Sequence, residues 1–201
     1  MSKTAVTDHP VHDLIARRWS PCGFSDRLVD RDDLCSLLEA ARWAASSYNE
    51  QPWSFIVAPR DDTEQFARLL DCLVPGNQQW AKNAAVLLLT VASERFTHNG
   101  TPNQAARHDI GLAVGNLSLE ATARGISVHQ MIGILPDKAR QTFRIPDDHH
   151  PLTALAVGYR APSETLPQAL RERDESPRQR KPISTFTYGS QWGQPSPIVT
   201  D

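Results

Sequence analysis

Residues 34–57 constrain the fold of this 201-residue chain more than any other stretch. Apolar residues recur there at helical spacing, the polar run SSYNEQ interrupts them, and a strand-like apolar pattern begins at Trp53. A short polar loop is therefore held between two elements that both need burial. Uncharged hydrogen-bonding side chains in the loop suit a heteroaromatic ring with carbonyls and ring nitrogens, and these are Ser46, Ser47, Asn49 and Gln51.

A structural interpretation of the same loop remains open. A helix end followed by a turn that Pro52 stiffens would use the same residue types, since serine, asparagine and proline are all favoured in turns. Spacing alone does not choose between a binding loop and a simple turn.

Composition and charge restrict the class of protein. The chain is 40% apolar and 22% charged, which is typical of a soluble globular protein with a substantial core. Its formal net charge of -2 provides no general attraction to polyanions. We therefore expect neither a nucleic-acid partner nor a membrane partner.

The apolar runs and the cysteine spacing indicate where the protein is located and whether it binds a metal. The longest apolar run, residues 84–92, is too short to cross a bilayer, and the first ten residues lack a signal-peptide pattern. We expect a cytoplasmic protein. Three cysteines without CxxC spacing indicate neither a disulfide framework nor a zinc site.

A central sheet covered on both faces is the expected architecture. The uninterrupted apolar run at residues 85–91 is typical of a strand buried on both sides. Amphipathic patterns predict helices at residues 11–18, with Leu14 and Ile15 directed inward, and at residues 63–73, capped by Asp62. The remaining expectations are a helix from Leu34 capped by Asp32 or Asp33, loops at residues 76–80 and 129–133, a helix at 136–143 and a strand at 152–159.

The longest helical pattern, residues 103–124, is apolar nearly all round and ends at Gly125. Such a helix is buried on more than one side. Gly111 and Gly115 would let a partner helix approach closely. We therefore expect a homodimer rather than a monomer, because a chain of this size has few other elements to cover the helix.

Two further features allow both a chemical and a structural interpretation. Arg17, Arg18 and Ser20 could hold a phosphate by bidentate hydrogen bonds, or the arginines could simply end a solvated helix. His129 has no carboxylate or nucleophile at a recognisable spacing, so we expect a hydrogen-bonded structural histidine.

The composition changes after Ala161, where prolines punctuate a charged segment that contains Arg178 and Arg180. A strand-like pattern at residues 183–188 and the presence of Trp192, whose aromatic surface would be costly to leave free in water, favour an arm laid across a neighbouring chain. No pattern indicates a second domain. We expect a single domain over residues 1–201, with residues 161–201 as the arm.

Taken together, the chain resembles the FMN-dependent nitroreductase family. The resemblance covers roughly residues 12–190, and its most specific part is the SSxNxQPW block. The blocks that carry it are ARRWSPCGF (16–24), LLEAARWAASSYNEQPWSFIV (37–57), DIGLAVGNLSLEATARGI (109–126), HQMIG (129–133), LTALAVGY (152–159) and PRQRKPIS (177–184).

The resemblance implies an α+β fold with a central mixed sheet flanked by helices. It also implies an intertwined homodimer with C-terminal arm exchange and two FMN sites at the subunit interface. Arg18 and Ser20, helped by Arg178 and Arg180, would hold the FMN phosphate. The remaining cofactor contacts would come from Ser46, Ser47 and Asn49 of the partner, from Asn77 at the ring edge, and from the loop Gln130, Met131, Ile132 and Gly133.

The chemistry implied by the resemblance belongs to the flavin rather than to an acid or base of the protein. NADH or NADPH would pass a hydride to N5, and a nitroaromatic, quinone or similar small conjugated acceptor would then take two electrons at the same place. Such a cycle is ping-pong. The same scaffold also supports dehalogenation, enoate reduction, azoline oxidation and flavin fragmentation, and a flavin-binding protein with little turnover is a further alternative.

The chain departs from the family pattern near the flavin. Cys22 and Trp80 stand where relatives often have basic residues, and Ile132 replaces a glutamate common in the N5 loop. Cys22 would be either a contact to the flavin edge or a neutral filler. We expect the reduced flavin anion to be less stabilised than in relatives unless Arg18 or another cation compensates.

Overall fold

A four-stranded sheet lies at the centre of the structure, a computed structural model that describes residues 3–199. The strands are β1 Trp53–Pro59, β2 Val86–Ser93, β3 Ser127–Met131 and β4 His149–Gly158, in the order β1-β2-β4-β3. The helices are α1 Asp13–Arg17, α2 Arg31–Arg42, α3 Thr63–Leu70, α4 Pro75–Ala81, α5 Ala106–Ala123, α6 Pro136–Phe143 and α7 Gln168–Glu175.

The sheet is antiparallel at every pairing between these four strands, so the mixed sheet that we expected is not formed by the described part of one chain. The α+β class and the helices on both faces are confirmed. A parallel pairing would need a strand from outside this set of four.

The burial of β2 explains why it is central. Leu87 and Leu89 contact one apolar cluster with α3, α4 and α6, whereas Val86 and Leu88 contact a second cluster with α2 and α5. Successive residues of a strand point to opposite faces, so an unbroken apolar run suits a strand that is covered on both sides. The apolar pattern at residues 85–91 thus predicted the position of this strand.

The long helix α5 buries only one of its apolar sides within the chain. Ile110, Val114 and Leu117 are fully buried, whereas Leu112 is 40% exposed and Gly111 is exposed. Gly125 adopts a φ of +72° just after the helix, which ends it as predicted. The exposed apolar side is left without a covering element in the described chain.

Several sequence predictions about local structure were wrong. Residues 76–80 form part of helix α4, because Pro75 occupies its first position, where a missing N–H costs nothing. His129 to Met131 form strand rather than loop, since they pair with β4. Residues 183–185 form a 3-10 turn instead of a strand.

Two smaller corrections concern helix ends. Ile15 of α1 is 52% exposed rather than inward, because a five-residue helix has no room to bury a full apolar face. Helix α2 begins at Arg31 with Asp30 at the N-cap position, so neither Asp32 nor Asp33 caps it. Over residues 3–199 no helix combines the length and hydropathy needed to span a bilayer.

Candidate functional site

Arginines from both ends of the sequence form one cationic cluster. Arg18 lies just after α1, and its Nη1 donates to Ser20 Oγ at 3.2 Å. Burial, followed by the positive charges of Arg178 and Arg180, lowers the pKa of the Arg18 guanidinium. No carboxylate among residues 3–199 forms an ion pair with these three arginines. Like charges held close together in this way favour an anionic ligand.

The neighbouring Arg17 is oriented differently. Its Nε lies 2.6 Å from Asp13 Oδ2, in an ion pair within α1. It lines the same cleft of about 430 Å³ as Arg18, beside Trp19 and Ser127. Arg17 therefore adds positive charge near the cluster, while its guanidinium is paired with Asp13 within α1.

Asn77 and Gly133 form a second group of candidate residues. Helix α4 carries Asn77, whose Nδ2 donates to the carbonyl oxygen of Gly133 at 3.0 Å. A Cβ atom added at Gly133 would lie 2.6 Å from Asn77 Nδ2, so only glycine allows this approach. Next to this contact Ile132 is 77% exposed and Gln130 is exposed, whereas Met131 is buried.

Both groups lie along β3. Arg18 of the cluster lines a cleft that includes Ser127, the first residue of the strand, and Gly133 lies two residues after the strand's last residue, Met131. Five residues of strand span about 14 Å. The arrangement suits an elongated ligand with an anionic end at the arginines and a hydrogen-bonding head at Asn77.

Cys22, Trp80 and His129 pack between these two groups and face the core. The exposed fraction is 1% for Cys22 and 2% for Trp80, and the Trp80 and His129 ring centroids lie 4.4 Å apart. His129 Nδ1 donates to the Pro21 carbonyl oxygen at 2.8 Å, because a carbonyl only accepts. His129 is thus hydrogen-bonded to backbone, as expected.

Burial also determines how these groups ionise. Desolvation lowers the pKa of His129 and raises the pKa of the Cys22 thiol to about 11. A neutral imidazole and a protonated thiol are the forms present near neutral pH. Cys22 and Trp80 therefore supply packing and no positive charge.

The polar loop at residues 46–51 is strained and tied to the start of α5. Tyr48, Asn49 and Gln51 all have φ values between 53° and 55°, which non-glycine residues rarely adopt. Ser47 N–H donates to Asp109 Oδ2 at 3.1 Å, and Gln51 N–H donates to Ser46 Oγ at 3.0 Å. The surrounding contacts hold a conformation that the sequence does not favour locally.

This loop does not join the arginine cluster within one chain. It is tied to Asp109 in the first turn of α5, whereas the cleft at the arginines is lined by Thr122 near the end of the same helix. Thirteen residues of helix separate these anchors, about 20 Å. The structure therefore groups Arg18, Ser20, Arg178, Arg180, Asn77 and Gly133 along β3 and places Ser46, Ser47, Asn49 and Gln51 elsewhere.

Sequence reasoning missed two buried acids that shape the site. Asp109 lies on the same helical stripe as Ala113 and Leu117, so an acid within an apolar stripe was an available signal. Asp174 of α7 accepts from the N–H groups of Cys22 and Gly23, at 2.8 and 3.0 Å. Nothing in the local sequence marks Asp174, because its partners lie about 150 positions away.

Comparison with known proteins identifies the group to which this chain belongs. The sequence model of the Nitroreductase family matches residues 15–86 and 63–159. The Major NAD(P)H-flavin oxidoreductase of Aliivibrio fischeri is 30% identical over 78% of this chain and 90% of that protein.

Solved structures give the same result. One described as an oxidoreductase containing FMN superposes with a TM-score of 0.89 at 32% identity, over 96% of this chain and 98% of that chain. A nitroreductase family protein from Clostridium difficile 630, 22% identical over 89% and 96% of the two chains, shares the fold with a TM-score of 0.69. The chain, with an arginine cluster and the Asn77–Gly133 contact at the two ends of β3, belongs to the nitroreductase family.

Proposed function

We propose that the protein is an FMN-dependent oxidoreductase that takes electrons from NADH or NADPH. The observation that carries the proposal is the meeting of Arg18 and Ser20 with Arg178 and Arg180 at one end of β3, opposite the Asn77–Gly133 contact. The A. fischeri relative is named as an NAD(P)H-flavin oxidoreductase, which supports the same chemistry.

The residues present fit FMN. A cationic cluster with a serine hydroxyl suits the phosphate, and Asn77 with the backbone N–H groups at the exposed Ile132 and at Gly133 suits the polar atoms of the ring. Arg18, Ser20 and Arg180 would hold the phosphate, and Asn77 with the N–H of Ile132 or Gly133 would face the ring. When bound, FMN supplies two-electron transfer at N5.

The side chains of this site bind and orient rather than exchange protons. His129 is occupied by the Pro21 carbonyl, and the Cys22 thiol, with a pKa of about 11, is no nucleophile at neutral pH. The role of the protein is to fix the flavin ring, to exclude water and to provide positive charge at the phosphate end of the site. No catalytic side chain is proposed.

Two features support a homodimer with shared sites. The loop at residues 46–51 lies too far along α5 to reach the arginine cluster of its own chain, and α5 exposes Leu112 beside Gly111. A partner helix on this side of α5 would cover Leu112 and bring the partner's loop toward the cofactor. Ser46, Ser47 and Asn49 would then contact FMN across the interface.

The single domain would end in an arm that crosses to the partner beyond Arg180. Residues up to Arg178 contact the chain's own first segment, so the crossing part would be the one that exposes Phe186 and Trp192. Burying those rings on a partner would remove costly apolar surface from water.

Donor and acceptor would use one place in turn, in a ping-pong cycle within the cytoplasm. The exposed Ile132 leaves an open apolar surface beside the ring position, suited to a planar nicotinamide and then to a nitroaromatic, quinone or similar conjugated acceptor. Dehalogenation, enoate reduction, azoline oxidation and flavin fragmentation remain alternative reactions of the bound flavin.

The test is anaerobic stopped-flow mixing of the FMN-loaded protein with NADH or NADPH. Loss of the yellow flavin absorbance, followed by its return when p-nitrobenzoate or menadione is added in a second mix, is expected. A colourless protein that does not retain added FMN would contradict the proposal. A bound flavin that no donor reduces would favour the alternative of a flavin-binding protein, which the neutral, buried Cys22 and Trp80 support.

A further inference from the structure

Arg178 uses its guanidinium on the chain's own backbone. Nη1 donates to the carbonyl oxygens of Lys3 at 2.5 Å and Ala16 at 2.7 Å, and Nη2 donates to the carbonyl oxygen of Arg18 at 2.9 Å. These partners lie 160 or more positions away in the sequence. One side chain from the C-terminal segment therefore joins the N-terminal segment to the backbone of the arginine cluster.

This bonding commits most of the Arg178 guanidinium to backbone carbonyls and leaves two N–H donors, one on Nη2 and one on Nε. A guanidinium has five N–H donors, and both donors of Nη1 and one of Nη2 are used on carbonyls. Arg180 differs, because among residues 3–199 its guanidinium donates only to the carbonyl oxygen of the adjacent Gln179, at 2.7 Å, and its side chain is exposed. Of the two arginines, Arg180 is the one that can turn toward a ligand.

Asp174 holds the backbone on the C-terminal side of Ser20, as Arg178 does on the N-terminal side. Asp174 is 5% exposed, and its two carboxylate oxygens accept from the N–H groups of Cys22 and Gly23. Arg178 and Asp174 thus hold the backbone on either side of Ser20. Arg18 and Ser20 are positioned by a clamp from the C-terminal segment of the same chain.

We propose that Arg178 is a positioning residue for the phosphate site: it holds the backbone of Arg18 so that the Arg18 guanidinium faces the phosphate, and it makes no phosphate contact itself. The inference rests on the proposed function, since it assumes that FMN is the ligand. It assigns Arg178 a role different from the one that the resemblance implied, with Arg180 as the second phosphate-binding arginine.

The experiment compares FMN with riboflavin, which lacks only the phosphate. Apoprotein is titrated with each flavin by fluorescence quenching, for the parent chain, Arg18→Ala, Arg178→Lys, Arg180→Ala, and both double variants that contain Arg18→Ala. Lysine keeps the charge of Arg178 but cannot bond three carbonyls in one plane. We expect Arg178→Lys to weaken FMN binding roughly tenfold and to change riboflavin binding by less than about twofold.

The double variants separate positioning from contact. If Arg178 acts through Arg18, Arg178→Lys costs nothing further once Arg18 is alanine. Arg180→Ala is the matched control, because a direct phosphate contact should still cost FMN affinity when Arg18 is already alanine. An additive effect of Arg178→Lys would show a direct phosphate contact and overturn the inference.

Two further outcomes are distinguishable. Equal loss of FMN and riboflavin binding in Arg178→Lys would mark a general structural defect and also overturn the positioning role. A parent protein that binds riboflavin as tightly as FMN would overturn the phosphate site of the proposed function itself. Asp174→Asn, which weakens the opposite side of the clamp, should show the same loss for FMN alone, and thermal unfolding of each apoprotein verifies that it is folded.

Discussion

The backbone N–H of Ser47 donates to Asp109 Oδ2 at 3.1 Å, joining the strained polar loop to the first turn of α5. Asp109 is only 2% exposed, so its carboxylate depends on this donor and on the positive end of the helix. The contact explains how Tyr48 and Asn49 keep positive φ values. Tertiary structure thus determines the shape of the loop that we assign to the partner's cofactor.

Replacing Asp109 should therefore destabilise both the loop and the fold. Asp109→Ala removes a buried acceptor and leaves the Ser47 N–H unpaired, so we expect the free energy of unfolding to fall by about 1–3 kcal/mol. Urea unfolding followed by far-UV circular dichroism measures it. Asp137→Ala is the matched control, because Asp137 is an exposed acid in the first turn of α6. Equal losses in the two variants would contradict a special role for the Ser47–Asp109 contact.

FMN retention should depend on the arginines that can reach the phosphate. Arg18→Ala and Arg180→Ala should each weaken binding by about 1.5–3 kcal/mol, because each removes a charge-assisted contact. Equilibrium dialysis against FMN measures the loss. Arg31→Ala, at the exposed start of α2, should have little effect. Undiminished FMN affinity in both cluster variants would remove the phosphate assignment.

The protein should lose stability as the pH falls below neutral, partly through His129. Desolvation holds the pKa of His129 below that of the unfolded chain, about 6.5, so the unfolded state binds more protons as the pH falls. The contribution of His129 is present above pH 6.5 and is lost as the pH falls through its folded-state pKa. Each unit of lowering corresponds to about 1.4 kcal/mol.

Unfolding free energies at pH 7.5 and pH 5.5 test this effect. His129→Asn keeps a donor for the Pro21 carbonyl but does not titrate, so its stability should fall less between the two pH values than that of the parent. His9→Asn, at an exposed position, serves as control and should follow the parent. A parallel decline in all three proteins would show that His129 does not contribute.

The three thiols should differ sharply in reactivity. Cys22 and Cys72 are buried and their pKa values are raised, mainly by desolvation, whereas Cys35 is exposed on α2. Because the thiolate is the reactive form, an Ellman titration at pH 8 should label one thiol in the native protein and three in urea. Cys35→Ser should abolish the native signal. Rapid labelling of Cys22 in the folded protein would argue against its role as a core filler.

The dimer proposal predicts that a charge on the exposed side of α5 separates the subunits. Sedimentation at micromolar concentration should show two chains for the parent and one for Leu112→Arg, since an unpaired charge in a helix interface is costly. Leu28→Arg is the matched control, because Leu28 is similarly exposed, at 46% against 40% for Leu112, and lies outside α5. A parent protein that sediments as one chain would refute the dimer.

The sequence by itself determined the elements whose signals are local. The apolar run of β2, the Asp62 cap of α3, whose side chain accepts from the Gln65 N–H, and the stop at Gly125 were all predicted, since periodicity, caps and backbone restrictions act within a few residues. The resemblance carried by the block at residues 37–57 then led to the family, which the comparisons confirmed.

Only the tertiary structure decided how distant segments meet. His129 to Met131 form strand because β4 lies beside them. The Asp174 carboxylate accepts from the N–H groups of Cys22 and Gly23, and Arg178 donates to carbonyls more than 150 positions away. Hydrogen bonds of this kind depend on which surfaces pack together, and no short-range pattern encodes that choice. The sequence therefore contains the residues of the proposed site, and packing decides which of their side chains are free to meet a ligand and which are hydrogen-bonded to the protein's own backbone.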